Sequence, residues 1–391
     1  MFQRKRWMKI LGMLLSFAPL GLAQAQEDTK QQSREIFKEL IEINTTDSVG
    51  NVTTAAEALA KRLRDAGFPE QDVIVAGPND HKKNLVARLL GTGQQKPILF
   101  LAHLDVVEAR REDWTTDPFQ FVEKDGYFYG RGTVDIKDGA AILVENFIRM
   151  KRVGLAPNRD LILALTADEE GGNSNGVEWL LKHHRDWIEA EYCINLDGGD
   201  FMSDKGKKIY GAVQASEKVY ADFQLEVKNP GGHSSRPTRD NAIYHLSEGL
   251  ARLSKFNFPV ELNEITRSML EKNAAIEGGP LAKEMKAAAQ PSPDAAVLVR
   301  LSENEFYNAI LRTTCVATML SGGHAPNALP QTARANVNCR ILPGEDPNKI
   351  KDTLVKVVDD PQIKVIFVEQ RDADGNLTPP VLVPPSRFAR I

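Results

Sequence analysis

The chain has 391 residues, 42% hydrophobic and 26% charged, with 28 Gly, 21 Pro and 7% aromatic residues; this excludes collagen-like, low-complexity and disulfide-scaffold classes. Forty-nine Lys and Arg stand against 53 Asp and Glu, a net charge of −4, and no long basic run follows the extreme N-terminus, so nucleic acid is not an expected partner. At roughly 100–200 residues per domain the length predicts two domains, or one domain with a large insertion.

Arg4, Lys5, Arg6 and Lys9 precede the apolar run from Ile10 to Ala23, which ends in Ala23-Gln24-Ala25. That is the layout of a secretory signal peptide over residues 1–25, cleaved after Ala25, with the periplasm or the medium as destination. An uncleaved anchor is the alternative. The run is shorter than the roughly 20 residues that span a bilayer, and Pro19 interrupts it, so no stable membrane span is expected after cleavage.

Amphipathic helices are predicted around Gln31–Glu42 and Thr54–Ala66. Buried strands follow at Asn84–Leu90, Pro97–Val106, Asp160–Ala167 and Tyr192–Leu196, with helices at Gly139–Arg152 and Gly176–His184. This alternation is α/β texture. Beyond Ala215 the pattern changes to a half-exposed strand at Lys218–Lys228, a helix at Asn241–Ser254, strands at Leu311–Leu320 and Thr332–Ile341, a helix at Asp346–Val358 and a last strand at Ile363–Glu369. That β-α-β-β-α-β order is the ferredoxin-like split arrangement, expected as an inserted second domain. Lys255–Phe306 reads as a helical excursion within it. Cys193, Cys315 and Cys339 have no CxxC spacing, which argues against an extensive disulfide framework or a cysteine zinc site. Cys315 and Cys339, both on predicted strands, could pair or act as small buried hydrophobes; burial is the reading taken.

Four strand ends carry the chemistry. In Pro97-Ile-Leu-Phe-Leu-Ala-His103-Leu104-Asp105 a buried strand ends with His103 and Asp105 two apart on one face, at the carboxyl end where open α/β sheets place ligands. A carboxylate beside a histidine is the usual support of a metal-binding imidazole; a surface His-Asp pair is the plainer alternative. In Gly130-Arg131-Gly132-Thr133-Val134-Asp135-Ile136-Lys137-Asp138-Gly139 Asp135 precedes a helix and could simply cap it. Leu161 to Gly172 ends a strand with three consecutive carboxylates, Asp168, Glu169 and Glu170; unless the turn is merely solvated, something positive must meet them. Tyr192 to Gly199 places Asp197 at a fourth such end. One histidine and several carboxylates suit one or two divalent ions such as Zn²⁺, Mn²⁺ or Co²⁺. With two ions, one carboxylate must bridge them and another can take a proton from the shared water.

The ordered set HxD, GRGxxDxK, DEEGG and Asp after a strand, followed by Gly231-Gly232-His233-Ser234-Ser235-Arg236-Pro237, resembles the M20 family of metallopeptidases and amidohydrolases. That family includes glutamate carboxypeptidases, aminoacylases, carnosinase-like dipeptidases and succinyl-diaminopimelate desuccinylases. The likeness runs from about Glu35 to Glu369. It implies a zinc-exopeptidase-like α/β catalytic domain at 26–214, an inserted ferredoxin-like α+β dimerisation or lid domain at 215–370, and a return to the catalytic domain at 371–391. It further implies a homodimer and a substrate that is a small peptide or an N-acyl amino acid.

By the same resemblance His103 would bind the first of two ions, most readily zinc, Asp197 would complete it, Asp135 would bridge both, and Glu170 would bind the second. Asp105 would orient His103, and Glu169 would be the general base that later protonates the leaving amine. His233 would reach the partner subunit's site to stabilise the oxyanion. Asn327 and Arg340 resemble the positions that hold the substrate backbone or carboxylate, for which a guanidinium is well suited. The plainer alternatives are a turn residue for His233 and a surface strand residue or structural ion pair for Arg340. Asp at position 197 leans towards dipeptidase or aminopeptidase-like action. His324 reads as a loop residue, and His183, His184 and His245 are assigned no role.

The family's catalytic domain resumes after the lid and supplies a histidine to the second ion. Here only 22 residues follow Glu369, Pro-rich in part, and no histidine follows His324. The expectation is therefore a C-terminally truncated member with a weakened second metal site, exposed apolar strand faces and impaired activity. The alternative function is a catalytically impaired relic that only dimerises or binds peptides. Insertion-free aminopeptidases with a similar metal set are disfavoured by the inserted unit and by Gly231-Gly232-His233.

Overall fold

A computed structural model describes residues 18–215, 217–371 and 376–378. Most of the expected signal peptide and of the tail after Arg371 lies outside the described residues. The chain divides into two compact units, with the boundary between Gly211 and Ala212, inside the strand Lys207–Val213 that closes the first unit.

The first unit opens with α1 (Ala18–Glu42) and α2 (Val52–Asp65). Asn51 caps α2 by accepting from the Thr54 N–H, the position at which Asn is favoured. Then come β1 (Val73–Ala76), β2 (Asn84–Leu89), β3 (Ile98–His103) and a hairpin of β4 (Val122–Lys124) and β5 (Tyr127–Tyr129). They are followed by α3 (Lys137–Arg152), β6 (Leu161–Thr166), α4 (Gly176–His183), α5 (Arg185–Ile188), β7 (Tyr192–Asn195), and the hairpin β8 (Gly199–Asp204) and β9 (Lys207–Val213). The central sheet has the order β1-β2-β6-β3-β7. In it β3 runs parallel to β6 and β7, whereas β2 is antiparallel to β1 and β6.

One sheet face buries Leu85, Leu163 and Leu165 against Ile36, Leu40, Leu59, Leu63, Val144 and Phe147 of α1, α2 and α3. The other packs Val86, Leu99, Ile162 and Ala164 against Leu180 and Ile188 of α4 and α5. Helices on both faces explain why the central strands read as continuous apolar runs. The buried strand expected at Tyr192–Leu196 needs correction: among the described residues β7 pairs only with β3 and stands at the sheet edge, with all four of its residues exposed.

The second unit contains β10 (Val219–Lys228), β11 (Gly232–His233), α6 (Ala242–Leu253), α7 (Glu264–Glu277), α8 (Gly279–Ala288), α9 (Ala295–Leu301) and α10 (Glu305–Leu311). It continues through β12 (Thr314–Gly322), β13 (Ala328–Leu329), β14 (Thr332–Ile341), α11 (Pro347–Val358) and β15 (Ile363–Phe367). Its antiparallel sheet has the order β12-β14-β10-β15, the split β-α-β-β-α-β topology. Phe223, Leu225, Val227, Ala335 and Val337 alternate inward along β10 and β14 and bury against Leu246, Leu253, Ile350 and Leu354 of α6 and α11. The helical excursion is real and has its own core around Leu270, Met285, Leu301 and Leu311, running past Phe306 to the end of α10.

The two cysteines taken as buried hydrophobes are instead bonded. Cys315 and Cys339 stand directly opposite on β12 and β14, 4.1 Å apart at Cα, and form a disulfide. Facing positions of an antiparallel pair bring Cβ atoms within bridging reach. Cys339 is also fully buried, so both alternatives hold for it.

Candidate metal centre

Because β3, β6 and β7 are parallel, their carboxyl ends lie along one edge. From that edge project His103, the turn Asp168-Glu169-Glu170 after β6, and Asp197 after β7. Asp135 arrives from the loop before α3.

His103 is buried, and its Nδ1 lies 3.0 Å from the Asp105 carbonyl oxygen and 3.5 Å from Asp105 Oδ1. With Nδ1–H donating there, Nε2 is the nitrogen turned to hold a cation. Nε2 faces Asp135 Oδ1 at 3.1 Å, Asp197 Oδ2 at 3.8 Å and Glu169 Oε2 at 3.9 Å. One ligand atom each from His103, Asp135 and Asp197 falls within 4.8 Å of the others. Asp105 spans two parts of the site, since its Oδ2 accepts from the Glu170 N–H at 2.9 Å while its buried Oδ1 has no hydrogen-bond partner among the described residues.

The electrostatics describe carboxylates held together against repulsion. Burial raises the Glu170 carboxyl to about 7, helped by Asp135, and burial also raises Glu169 and Asp197. Burial pulls the His103 imidazole down, but Asp105, Glu169 and Asp197 outweigh it and carry it to about 9. A divalent cation among these groups reverses both strains at once, and one imidazole nitrogen with several carboxylate oxygens is a donor set that zinc, cobalt and manganese accept. The residues present therefore fit a metal.

The local folding of each motif has a physical cause. The helix-cap reading of Asp135 fails, since Ile136 is the N-cap residue of α3, without a side-chain cap, and Asp135 turns to His103 instead. Gly132 sits at φ +89, where a Cβ would meet the Lys137 side chain at 2.9 Å, so glycine is required there. Lys137 is buried and donates from Nζ to the carbonyls of Leu40 and Ile43 at 2.8 Å each, pinning the loop to the end of α1. Burial lowers its ammonium to about 7.

The positive group that the three-carboxylate turn demands is Lys82. Its Nζ is 2.5 Å from Asp168 Oδ1 and 2.8 Å from Asp47 Oδ1. Residue-pattern reasoning missed it because Lys82 lies in the loop before β2, far in sequence from the turn it neutralises.

Residues 99–347 match the profile of peptidase family M20/M25/M40. The chain belongs to this family. Among relatives of the M20 chain, the N-fatty-acyl-amino acid synthase/hydrolase of Mus musculus is 28% identical over 289 residues, covering 69% of this chain and 54% of that protein. Carboxypeptidase S of Saccharomyces cerevisiae is 28% identical over 264 residues, covering 63% of this chain and 45% of that protein. The chain thus spans about half the length of the curated relatives it matches. In fold it is similar to an M20 family metallo-carboxypeptidase from Sulfolobus solfataricus, with a TM-score of 0.60 at 16% identity over 86% of this chain and 79% of that one.

The remaining three candidates of this M20 chain lie in the second unit. His233 and Asn327 come together, since β11 pairs with β13 (His233 opposite Ala328) and the Ser234 N–H donates to the Asn327 carbonyl at 2.9 Å. His233 Nδ1 accepts from the Ser235 N–H at 3.2 Å, and the imidazole is exposed. Arg340 is not beside them: it lies opposite Tyr220 near the start of β10, whereas β11 follows the other end, after Lys228 opposite Thr332. The eight-residue interval along β14 is about 27 Å at strand rise.

Proposed function

We propose that the chain is a metal-dependent amide hydrolase that cuts small peptides or N-acyl amino acids. The observation that carries this reading is the convergence of His103, Asp135 and Asp197 at one strand edge, with Glu169 3.9 Å from His103 Nε2.

In this reading His103, Asp135 and Asp197 would hold one divalent ion and Asp135 and Glu170 a second, with zinc the first choice for both. When bound, the ions polarise the scissile carbonyl and make water acidic enough to attack it near neutral pH. Glu169 takes the water proton and returns it to the leaving amine, a task suited to a carboxyl that burial has raised above its ordinary value. Asp105 fixes the His103 ring through Nδ1. His233 donates to the developing oxyanion, and Asn327 and Arg340 hold the substrate's backbone and carboxylate. The long interval between His233 and Arg340 within one unit favours a site that draws them from two copies of the chain.

A homodimer is part of this proposal. The sheet-edge strand β12 exposes Val316, Met319 and Leu320, the kind of apolar edge that pairs with another strand. Export is the second part: the leader pattern at residues 1–25 agrees with the Cys315–Cys339 disulfide, a bond that persists in oxidising compartments. No helix among the described residues is long and apolar enough to cross a membrane. The relic reading is weaker, because His103, Asp105, Asp135, Glu169, Glu170 and Asp197 are all present and His103, Asp135 and Asp197 converge with Glu169 beside them.

The test is hydrolysis of dipeptides and N-acetyl amino acids by the purified chain. Chelation should abolish turnover and zinc or cobalt should restore it, while Glu169→Gln should lose on the order of 10²–10⁴ in rate yet retain bound metal. Turnover that survives chelation, or survives Glu169→Gln undiminished, overturns the reading.

A further inference from the structure

The face of the second unit's sheet that points away from α6 and α11 carries an ordered chain of polar contacts ending at Arg340. Tyr220 and Arg340 are directly opposite on β10 and β14, and the guanidinium carbon lies 4.8 Å from the centre of the Tyr220 ring. The Tyr220 hydroxyl donates to Asp222 Oδ2 at 2.5 Å, and Asp222 Oδ1 accepts from Asn336 Nδ2 at 2.9 Å and Asn338 Nδ2 at 3.0 Å. Asn336 is itself within 2.9 Å of Thr318 Oγ1 on the next strand.

Two consequences follow for Arg340. Asp222 accepts three hydrogen bonds from neutral donors, none of them from Arg340, and Glu345, which acts on Lys218 together with Arg340, accepts from the Thr313 hydroxyl. A ring 4.8 Å from the guanidinium carbon bears on it from one side, and a guanidinium held by one face grips a carboxylate through its N–H edge with two parallel hydrogen bonds. The nearby ammonium of Lys218 adds positive field, although its Nζ is spent on the carbonyls of Ala309 and Arg312 and on Thr314 Oγ1. Burial, then Asp222, raises the Tyr220 phenol, which keeps it a donor at neutral pH.

We infer that Tyr220, tied down by Asp222, is a positioning residue that presents Arg340 to the terminal carboxylate of the substrate and so makes the site selective for free acids over amides. This rests on the reading of Arg340 as the carboxylate holder.

The test is calorimetric titration of the full chain, with divalent ions chelated to prevent turnover, by N-acetyl-leucine and by its C-terminal amide. The wild type should prefer the acid, and Arg340→Met should erase that preference. Tyr220→Leu should weaken acid binding about tenfold and leave amide binding unchanged, with Tyr220→Phe, which keeps the ring and loses the tether, falling between. Tyr220 is exposed, so a change in thermal midpoint should be small in either variant. If Tyr220→Leu binds the acid as the wild type does while Arg340→Met does not, the positioning role is overturned and the reading of Arg340 stands. If Arg340→Met keeps the full preference, the reading of Arg340 itself falls, and the inference with it.

Discussion

Lys82 reaches 86 residues along the chain to donate to Asp168 at 2.5 Å, inside the first unit, with both side chains nearly excluded from solvent. Asp168 is in the left-handed region at φ 54, and its other oxygen accepts from the Ser174 N–H at 3.1 Å. The pair therefore sets the turn from which Glu169 and Glu170 project. Burial alone lowers the Lys82 ammonium, but Asp168 and Asp47 more than offset it and hold it charged.

Removing one partner of such a pair strands a buried charge. Lys82→Met should destabilise the protein by about 3–5 kcal/mol and weaken metal retention, and Lys82→Met with Asp168→Asn should recover part of the stability. Thermal melts with metal analysis check this; a Lys82→Met protein with unchanged midpoint and unchanged metal content contradicts the positioning of the turn by Lys82.

The Cys315–Cys339 bond closes a loop with a sequence separation of 24. By the loop-entropy scale its reduction should cost the second unit roughly 3 kcal/mol. Denaturant unfolding followed by far-ultraviolet circular dichroism, with and without reductant, measures the difference. A midpoint insensitive to reductant counts against the bond.

His245 on α6 lies 2.6 Å from Asp360 and 3.2 Å from Asp240. The hydrogen bond to Asp360 raises the imidazole above its ordinary 6.5, with burial opposing and Asp240 assisting. A raised folded value means that the stabilisation is full below the unfolded value and is lost as pH rises through the folded one. Asp360 is depressed by His245 against the pull of burial, so its share is present above 3.8 and lost as pH falls through the lower folded value. His245→Gln should therefore lose most stability between those limits and converge with the wild type at alkaline pH. A constant difference from pH 5 to pH 9 would sink the assignment.

If β12 is the dimer edge, charge on it should split the dimer. Leu320→Arg, at a position 68% exposed, should sediment as a monomer with the thermal midpoint of the second unit nearly unchanged. A wild type that is monomeric at all concentrations contradicts the dimer.

What was legible in the sequence was legible for a reason. Buried parallel strands announce themselves as apolar runs, so the ends of β3 and β6, and with them His103, Asp105 and Asp168 to Glu170, could be placed to within a residue or two. The split topology of the second unit followed from switching periodicity. The hairpins β4–β5 and β8–β9 were missed although Asp125-Gly126 and Lys205-Gly206 mark their turns, both glycines having positive φ. Partnership across the fold was not legible: neither Lys82 with Asp168, nor Tyr220 with Arg340, nor the register that bonds Cys315 to Cys339 has a local signature. The exposure of β7 was invisible too, since an edge strand and a central one share the same apolar run.

Elemental analysis after dialysis against trace zinc decides whether His103, Asp135 and Asp197 form a metal centre. At least one zinc ion should be retained per wild-type chain, and that ion should be lost in His103→Ala and in Asp197→Asn proteins that keep the wild-type far-ultraviolet spectrum. A wild type that retains no zinc, cobalt or manganese, or variants that retain as much as the wild type, would contradict it.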